Sequence, residues 1–147
     1  MWVRMNSVAV ANTPASRPEA PQNLSLRTQD FALRIITMYR KLPRKEEARV
    51  IGKQVLRSGT SIGANYRAAC RSRSKAEFIS KLGIVLEEAD ETVFWLELLL
   101  QSKVFPKSKI GNLLKEANEL TSIFVSCLAR RKAWIARPNF CVLTSAF

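Results

Sequence analysis

Seven basic side chains and no acidic one occupy the stretch from residue 49 to residue 76, the clearest chemical feature of the chain. At about 100° per residue, five of the seven fall on one side of a helix, opposite its apolar stripe. We call these five the basic ridge: Arg49, Lys53, Arg57, Arg67 and Arg71. A solvated helix face usually interleaves carboxylates four residues from its cations, and this one does not. Because Lys and Arg neutralise phosphates without reading bases, the ridge predicts a nucleic-acid partner, RNA or DNA, with a merely solvated face as the alternative.

A group of carboxylates follows the ridge in the chain: Glu87, Glu88, Asp90, Glu91 and Glu97. Carboxylate sites for paired iron ions in helical bundles also need Glu-x-x-His motifs, and the chain has no histidine. That absence also removes the commonest general base and the Ser-His and Cys-His nucleophile pairs. We therefore expect salt bridges to a neighbouring helix or subunit, and predict no catalytic residue, no metal site, no cofactor and no enzymatic activity.

The same segment has a second apolar side, formed by Ile84, Phe94, Trp95 and Leu98. A bundle helix needs only one apolar stripe to pack in its own fold. Aromatic residues are enriched at subunit interfaces, so this side predicts a contact between copies of the chain. The alternative is a central helix that touches both neighbours within one bundle.

Three glycines, Gly52, Gly59 and Gly63, fall on one edge of the basic segment. Glycine costs up to about 1 kcal/mol inside a helix relative to alanine. Their shared edge predicts the close approach of another helix, and a kink is the alternative.

Composition narrows the class of protein further. The 147 residues carry 24 basic and 12 acidic side chains, a net charge of +12, and 47% of them are hydrophobic. Three separated cysteines, Cys70, Cys127 and Cys141, form neither a CxxC pair nor an even disulfide set, which favours the reducing cytoplasm. No apolar run reaches the roughly 18 residues that span a bilayer, so we expect no membrane partner.

Four amphipathic helices are predicted to carry these features. They span about residues 25–42, 45–70, 75–102 and 108–132, with Ser74 and Glu77 as a capping box for the third and Ser108 as a cap for the fourth. The inward stripe of the third is predicted as Phe78, Leu82, Leu86, Ala89, Val93, Leu96 and Leu100. Short connections and no strand pattern favour an all-α, antiparallel up-down four-helix bundle over residues 25–132. Residues 1–24, which contain three prolines, and residues 133–147 are predicted to be disordered or poorly ordered tails.

The segment of residues 57–82, with Ser61-Ile62-Gly63-Ala64-Asn65-Tyr66 at its centre, resembles the family of four-helix-bundle proteins named after 23S rRNA intervening sequences. Three stretches extend the resemblance: residues 87–97 with their acids and Phe94-Trp95, residues 31–39, and residues 116–120. It covers the whole predicted bundle, about residues 24–131. The chain is also similar to the accessory variability proteins of diversity-generating retroelements.

The resemblance implies a small bacterial protein that assembles into a ring-like homo-oligomer, a homopentamer. It also implies nucleic-acid binding and contact with a reverse transcriptase or a ribosomal component, and it transfers no catalytic residue. We expect a non-catalytic oligomeric bundle that binds nucleic acid, structured RNA in particular. The alternative is a protein-interaction adaptor that docks an acidic partner or a reverse transcriptase.

Overall fold

The structure is a computed structural model that describes the backbone of residues 24–135 and the side chains of residues 24–130. This part of the chain forms four helices. They are α1 (Leu24–Arg40), α2 (Glu46–Cys70), α3 (Lys75–Gln101) and α4 (Lys107–Ile135). No strand occurs within residues 24–135, so the all-α prediction with four helices is confirmed. The predicted tails lie outside the described residues, except that Leu24 and residues 133–135 are helical.

Local chemistry sets the helix ends. At the start of α3, the Ser74 side chain accepts a hydrogen bond of 3.1 Å from the Glu77 backbone N–H, as the capping box predicts. The Glu77 carboxylate in turn accepts the backbone N–H of Arg73 at 2.8 Å. The prediction that Ser108 caps α4 is wrong: α4 begins at Lys107, and Pro106 stands just before it. Proline suits that place because it lacks the N–H that a first helical turn leaves unpaired.

The core lies along the centre of the bundle and takes fully buried side chains from all four helices. The largest are Phe31, Ile35, Ile62, Leu82, Leu96, Leu99, Ile110, Leu120 and Phe124. Each such side chain contributes about 1.5–3 kcal/mol through its removal from water. The predicted inward stripe of α3 is partly wrong, because Val85, Thr92 and Leu99 are buried while Leu86 and Val93 are only half-buried. α3 packs against both α2 and α4, and the buried Thr92 faces α2, where its hydroxyl contacts that of Ser58.

The glycine edge of α2 lies against α1, which confirms the predicted close approach of a helix. A Cβ atom at Gly59 would lie 3.0 Å from Cγ1 of Ile35, and one at Gly63 would lie 3.3 Å from the backbone oxygen of Thr28. Near the other end of α2, Gly52 lies beside the side chains of Tyr39 and Leu42. The glycines therefore let α1 and α2 pack more closely than any larger residue would permit.

Candidate nucleic-acid interface

The basic ridge lies on the solvent-facing side of α2, opposite its buried residues, and ends at Arg71 just beyond the helix. All five of its side chains are exposed. Arg49 and Arg71 are 22 residues apart in the sequence, which at about 1.5 Å per residue gives a row roughly 33 Å long. The helical period thus brings the five predicted residues onto one continuous surface.

Acidic neighbours divide the basic ridge into paired and unpaired cations. Arg49 makes an ion pair of 2.8 Å with Glu46 in the first turn of the same helix. Arg57 reaches across to α3, where it pairs with Glu91 and lies 3.6 Å from Glu88. The other three ridge residues, Lys53, Arg67 and Arg71, take part in no ion pair within the described residues. These three present positive charge that no carboxylate of the described bundle offsets.

Arg57 and its two carboxylates form part of the contact between α2 and α3, which confirms the expected salt bridges for Glu88 and Glu91. Hydrogen bonds from Arg57 and from the indole of Trp95, 2.9 Å from Glu91, lower the pKa of the Glu91 carboxyl. Burial raises the pKa of Glu88, against the weaker opposing effect of Arg57. The two acids therefore differ in their environment although both face the same guanidinium.

The residues that follow Arg57 and Glu91 in the sequence, Ser58 and Thr92, form a buried pair of hydroxyls. The side-chain oxygens of Ser58 and Thr92 are 2.9 Å apart, and both residues are fully buried. Each oxygen also lies within hydrogen-bond distance of a backbone carbonyl of its own helix, one turn earlier. The pair satisfies both polar groups and fixes how α2 and α3 face each other.

Tyr66 lies on the same helix as Arg67 and carries no charge at physiological pH. Burial, with the nearby Cys70 thiol, raises the pKa of Tyr66 to about 12. Its ring packs against Phe124 of α4, with the ring centroids 5.8 Å apart. Tyr66 therefore belongs to the core side of α2 and leaves the positive charge of the ridge unchanged.

The four residues of the second apolar side of α3 divide into two pairs. Ile84 and Phe94 are 43% and 55% exposed. Trp95 and Leu98 are half-buried, and Trp95 packs against the core of its own chain, with its indole N–H on Glu91. The Phe94 and Trp95 rings meet edge to face, with centroids 4.9 Å apart.

Three exposed acids on α3 have no ion-pair partner among the described residues: Glu87, Asp90 and Glu97.

Two other kinds of feature, a metal site and a membrane-spanning helix, are absent from the described part of the chain. No group of three or more acidic or cysteine side chains there could hold a metal ion. None of its helices combines the length and the apolar character that crossing a membrane requires.

Sequence reasoning did not identify the cluster of Arg57, Glu88 and Glu91 as one unit. Their pairing depends on how α2 and α3 align, which the sequence does not show.

Comparison with known proteins places these features in a family. A family model described as "23S rRNA-intervening sequence protein" matches residues 23–126. A similar solved structure is a protein of unknown function from the S23 ribosomal protein family of Bacteroides thetaiotaomicron, with 38% sequence identity and a TM-score of 0.67. The similarity covers 71% of this chain and 97% of that one. A comparison with curated proteins gives no significant match.

Proposed function

Since the chain belongs to the 23S rRNA-intervening sequence protein family, we propose that it is a non-catalytic protein that binds nucleic acid, structured RNA in particular, through its basic ridge. The family description, which refers to 23S rRNA, agrees with an RNA partner. The observation that carries the proposal is the row of exposed cations on α2. Three of them, Lys53, Arg67 and Arg71, have no carboxylate partner within the described residues. Unpaired cations along one helix suit the regularly spaced charges of a phosphate backbone.

The assembly of the protein is part of the same proposal. The bundle is antiparallel and up-down, an arrangement supported by the order of the α1–α2 contacts, in which Gly52 meets Tyr39 and Gly63 meets Thr28. Copies of the chain associate through the exposed residues Ile84 and Phe94 into a ring-like oligomer, a pentamer. Each copy would contribute one ridge, so a long strand could bind several ridges at once with increased avidity. We assign the protein to the cytoplasm of a bacterium.

The test compares two triple variants of the full chain in binding to unlabelled RNA and DNA by titration calorimetry across a salt series. Lys53→Gln/Arg67→Gln/Arg71→Gln removes the three unpaired cations, and we expect weaker binding to all sequences alike. The slope of log affinity against log salt should fall by about 0.7 for each lost contact to a single strand. Arg49→Gln/Lys53→Gln/Arg57→Gln removes two cations that carboxylates already neutralise in part, and we expect a smaller change.

Circular dichroism checks that each variant remains folded. If a folded variant without Lys53, Arg67 and Arg71 keeps the affinity and the slope of the parent, the basic ridge is only a solvated face. Salt-sensitive binding to a single acidic protein or reverse transcriptase, with no binding to nucleic acid, would instead support the adaptor. The proposal of a non-enzymatic role rests on the absence of histidine from the whole chain, which leaves the ridge without the usual general base.

A further inference from the structure

A second basic surface lies in the groove between α1 and α4, away from the basic ridge. Three cations line this groove: Arg34 and Lys41 from the α1 side, and Lys109 from α4. Arg34 lies 4.0 Å from Asp30, a long contact on the exposed side of α1. Lys41 and Lys109 take part in no ion pair within the described residues. No carboxylate lines the groove, so its charge is positive throughout.

The floor of the groove is apolar and closed. Met38, Phe105 and Leu113 form it, and they are only 4–7% exposed. Asn112 adds an exposed amide at the side. Lys41 and Lys109 are exposed above this floor, so a ligand meets their charge at the surface, where salt screens it. The groove therefore suits a ligand that carries its negative charge along an exposed edge and does not enter the core.

Three further arginines lie at the α1–α2 turn, between the groove and the rest of the basic ridge. Next to Lys41, a pocket at the α1–α2 turn is lined by Tyr39, Arg40, Arg44 and Arg49. Its one carboxylate is that of Glu46, which already pairs with Arg49. Arg49 is also the first residue of the ridge, so positive charge continues from α2 around the end of α1 and into the α1–α4 groove.

We propose that the α1–α4 groove is a second phosphate-binding surface, which holds the same nucleic-acid strand after it leaves the basic ridge and passes over the α1–α2 turn. This inference rests on the proposed function and adds a path and a site size to it. The ridge alone is about 33 Å long, which about 10 nucleotides of a base-stacked strand cover at 3.4 Å per phosphate. Strands longer than that reach the groove.

The test uses the full chain and two lengths of oligoadenosine, whose stacked bases keep this spacing, of about 10 and about 30 nucleotides, chosen because the ridge takes about 10. The variant Lys41→Gln/Lys109→Gln removes the two unpaired groove cations. Its matched control, Lys115→Gln/Arg130→Gln, removes the same charge from exposed positions of α4 outside the groove. Affinity is measured by titration calorimetry between low and moderate salt.

We expect the groove variant to bind the short strand as the parent does. For the long strand, its salt slope should fall by about 1.4, from two lost contacts at about 0.7 each. The control should change neither. Equal losses for both lengths, or equal losses for the groove and control variants, would overturn the inference, because they would reflect net charge rather than contact.

Failure of this inference differs from failure of the proposed function. If the ridge variant Lys53→Gln/Arg67→Gln/Arg71→Gln weakens binding to both lengths while the groove variant weakens neither, the ridge is retained and the groove is rejected. If the ridge variant binds both lengths as the parent does, the proposed function fails, and with it the path that leads into the groove.

Discussion

Arg57 faces two carboxylates whose environments push their pKa values in opposite directions. Glu91 accepts hydrogen bonds from Arg57 and Trp95, which lower its pKa. Glu88 is more deeply buried, its pKa is raised, and its Oε2 atom has no hydrogen-bond partner in the described residues. A carboxyl with a lowered pKa stabilises the fold above its unfolded pKa, and this stability is lost as the pH falls through the folded value. A raised pKa acts in the opposite sense, because the charged form disfavours the fold at neutral pH.

Glu91→Gln should therefore lower the melting temperature at pH 7 more than Glu88→Gln does. The expected loss for Glu91→Gln is a few degrees at most, since partly exposed ion pairs are weak. The loss should shrink as the pH falls below the ordinary glutamate pKa of about 4.3 and toward the lowered folded value, where the parent carboxyl becomes protonated in the fold as well. Thermal unfolding by circular dichroism at several pH values measures this. Glu87→Gln, which changes an exposed acid without an ion pair, serves as the control, and a larger effect of Glu88→Gln would contradict the assignment.

Sequence reasoning reached part of this residue-level chemistry. The excess of cations on α2 and of acids on α3 predicts pairing between the two helices. It does not predict that Arg57, rather than Lys53, takes both partners, because that choice depends on the alignment of α2 with α3. The buried contact between Ser58 and Thr92 follows from the same alignment, and neither residue carries a sequence signal of its own.

At the level of the helices, the five glycines of the chain fall into two groups. Gly52, Gly59 and Gly63 lie against α1, whereas a Cβ atom at Gly83 of α3 or Gly111 of α4 would meet nothing within 4 Å. The first group is explained by helix packing. The second group leaves α3 and α4 with the conformational cost of glycine and no packing gain in this bundle.

Gly59→Ala should destabilise the protein by about 1–3 kcal/mol, because the added methyl overlaps the fully buried Ile35. Gly83→Ala and Gly111→Ala should stabilise it by up to about 1 kcal/mol, since alanine is the better helix former and has free space there. Urea unfolding of the three variants measures the differences. A stabilising Gly59→Ala would show that α1 and α2 can separate at no cost.

At this level the sequence predicts the ends of the helices closely. It predicts less well which side of each helix faces the core. The Ser74 cap and the prolines at 43 and 106 act within a few residues of the chain, so the sequence locates the ends of the helices closely. The inward side of α3 depends on two neighbours at once. Thr92 is buried there because Ser58 of α2 supplies a partner for its hydroxyl, which a count of apolar residues cannot anticipate.

On the scale of the whole molecule, exposed basic and exposed acidic side chains lie on different surfaces. Cations cover the outer side of α2, the α1–α2 turn and the α1–α4 groove, whereas α3 shows Glu87, Asp90 and Glu97 around the exposed Ile84 and Phe94. Such an arrangement suits association between the acidic, apolar surface of one copy and another surface of a second copy, and head-to-tail contacts of this kind form a ring when the rotation between copies closes. The groove cations come from α1, from Lys41 just after it and from α4, which is far away in the sequence, so no helical period could have grouped them.

If copies of the chain associate through Ile84 and Phe94 as proposed, Phe94→Glu should yield smaller species, because the proposed interface would bury a charge without a partner. Trp95 is less suitable for this test, since its indole packs within its own chain. Light scattering after size-exclusion chromatography measures the mass. Val125→Glu, at a valine that is 49% exposed on α4, is the control and should leave the mass unchanged. A parent protein that is monomeric at micromolar concentration would refute the proposed interface.

The hydrogen bond from Trp95 to Glu91 gives the protein an internal optical probe. Indole emission responds to the polarity and charge around the ring, and this ring touches the carboxylate that neutralises Arg57. A phosphate that draws Arg57 away leaves Glu91 with the indole N–H and alters the electric field at the chromophore. The other two of the three tryptophans, Trp2 and Trp134, would be replaced by phenylalanine. The emission wavelength of Trp95 would then report whether a phosphate occupies Arg57, and the protein would need no attached dye.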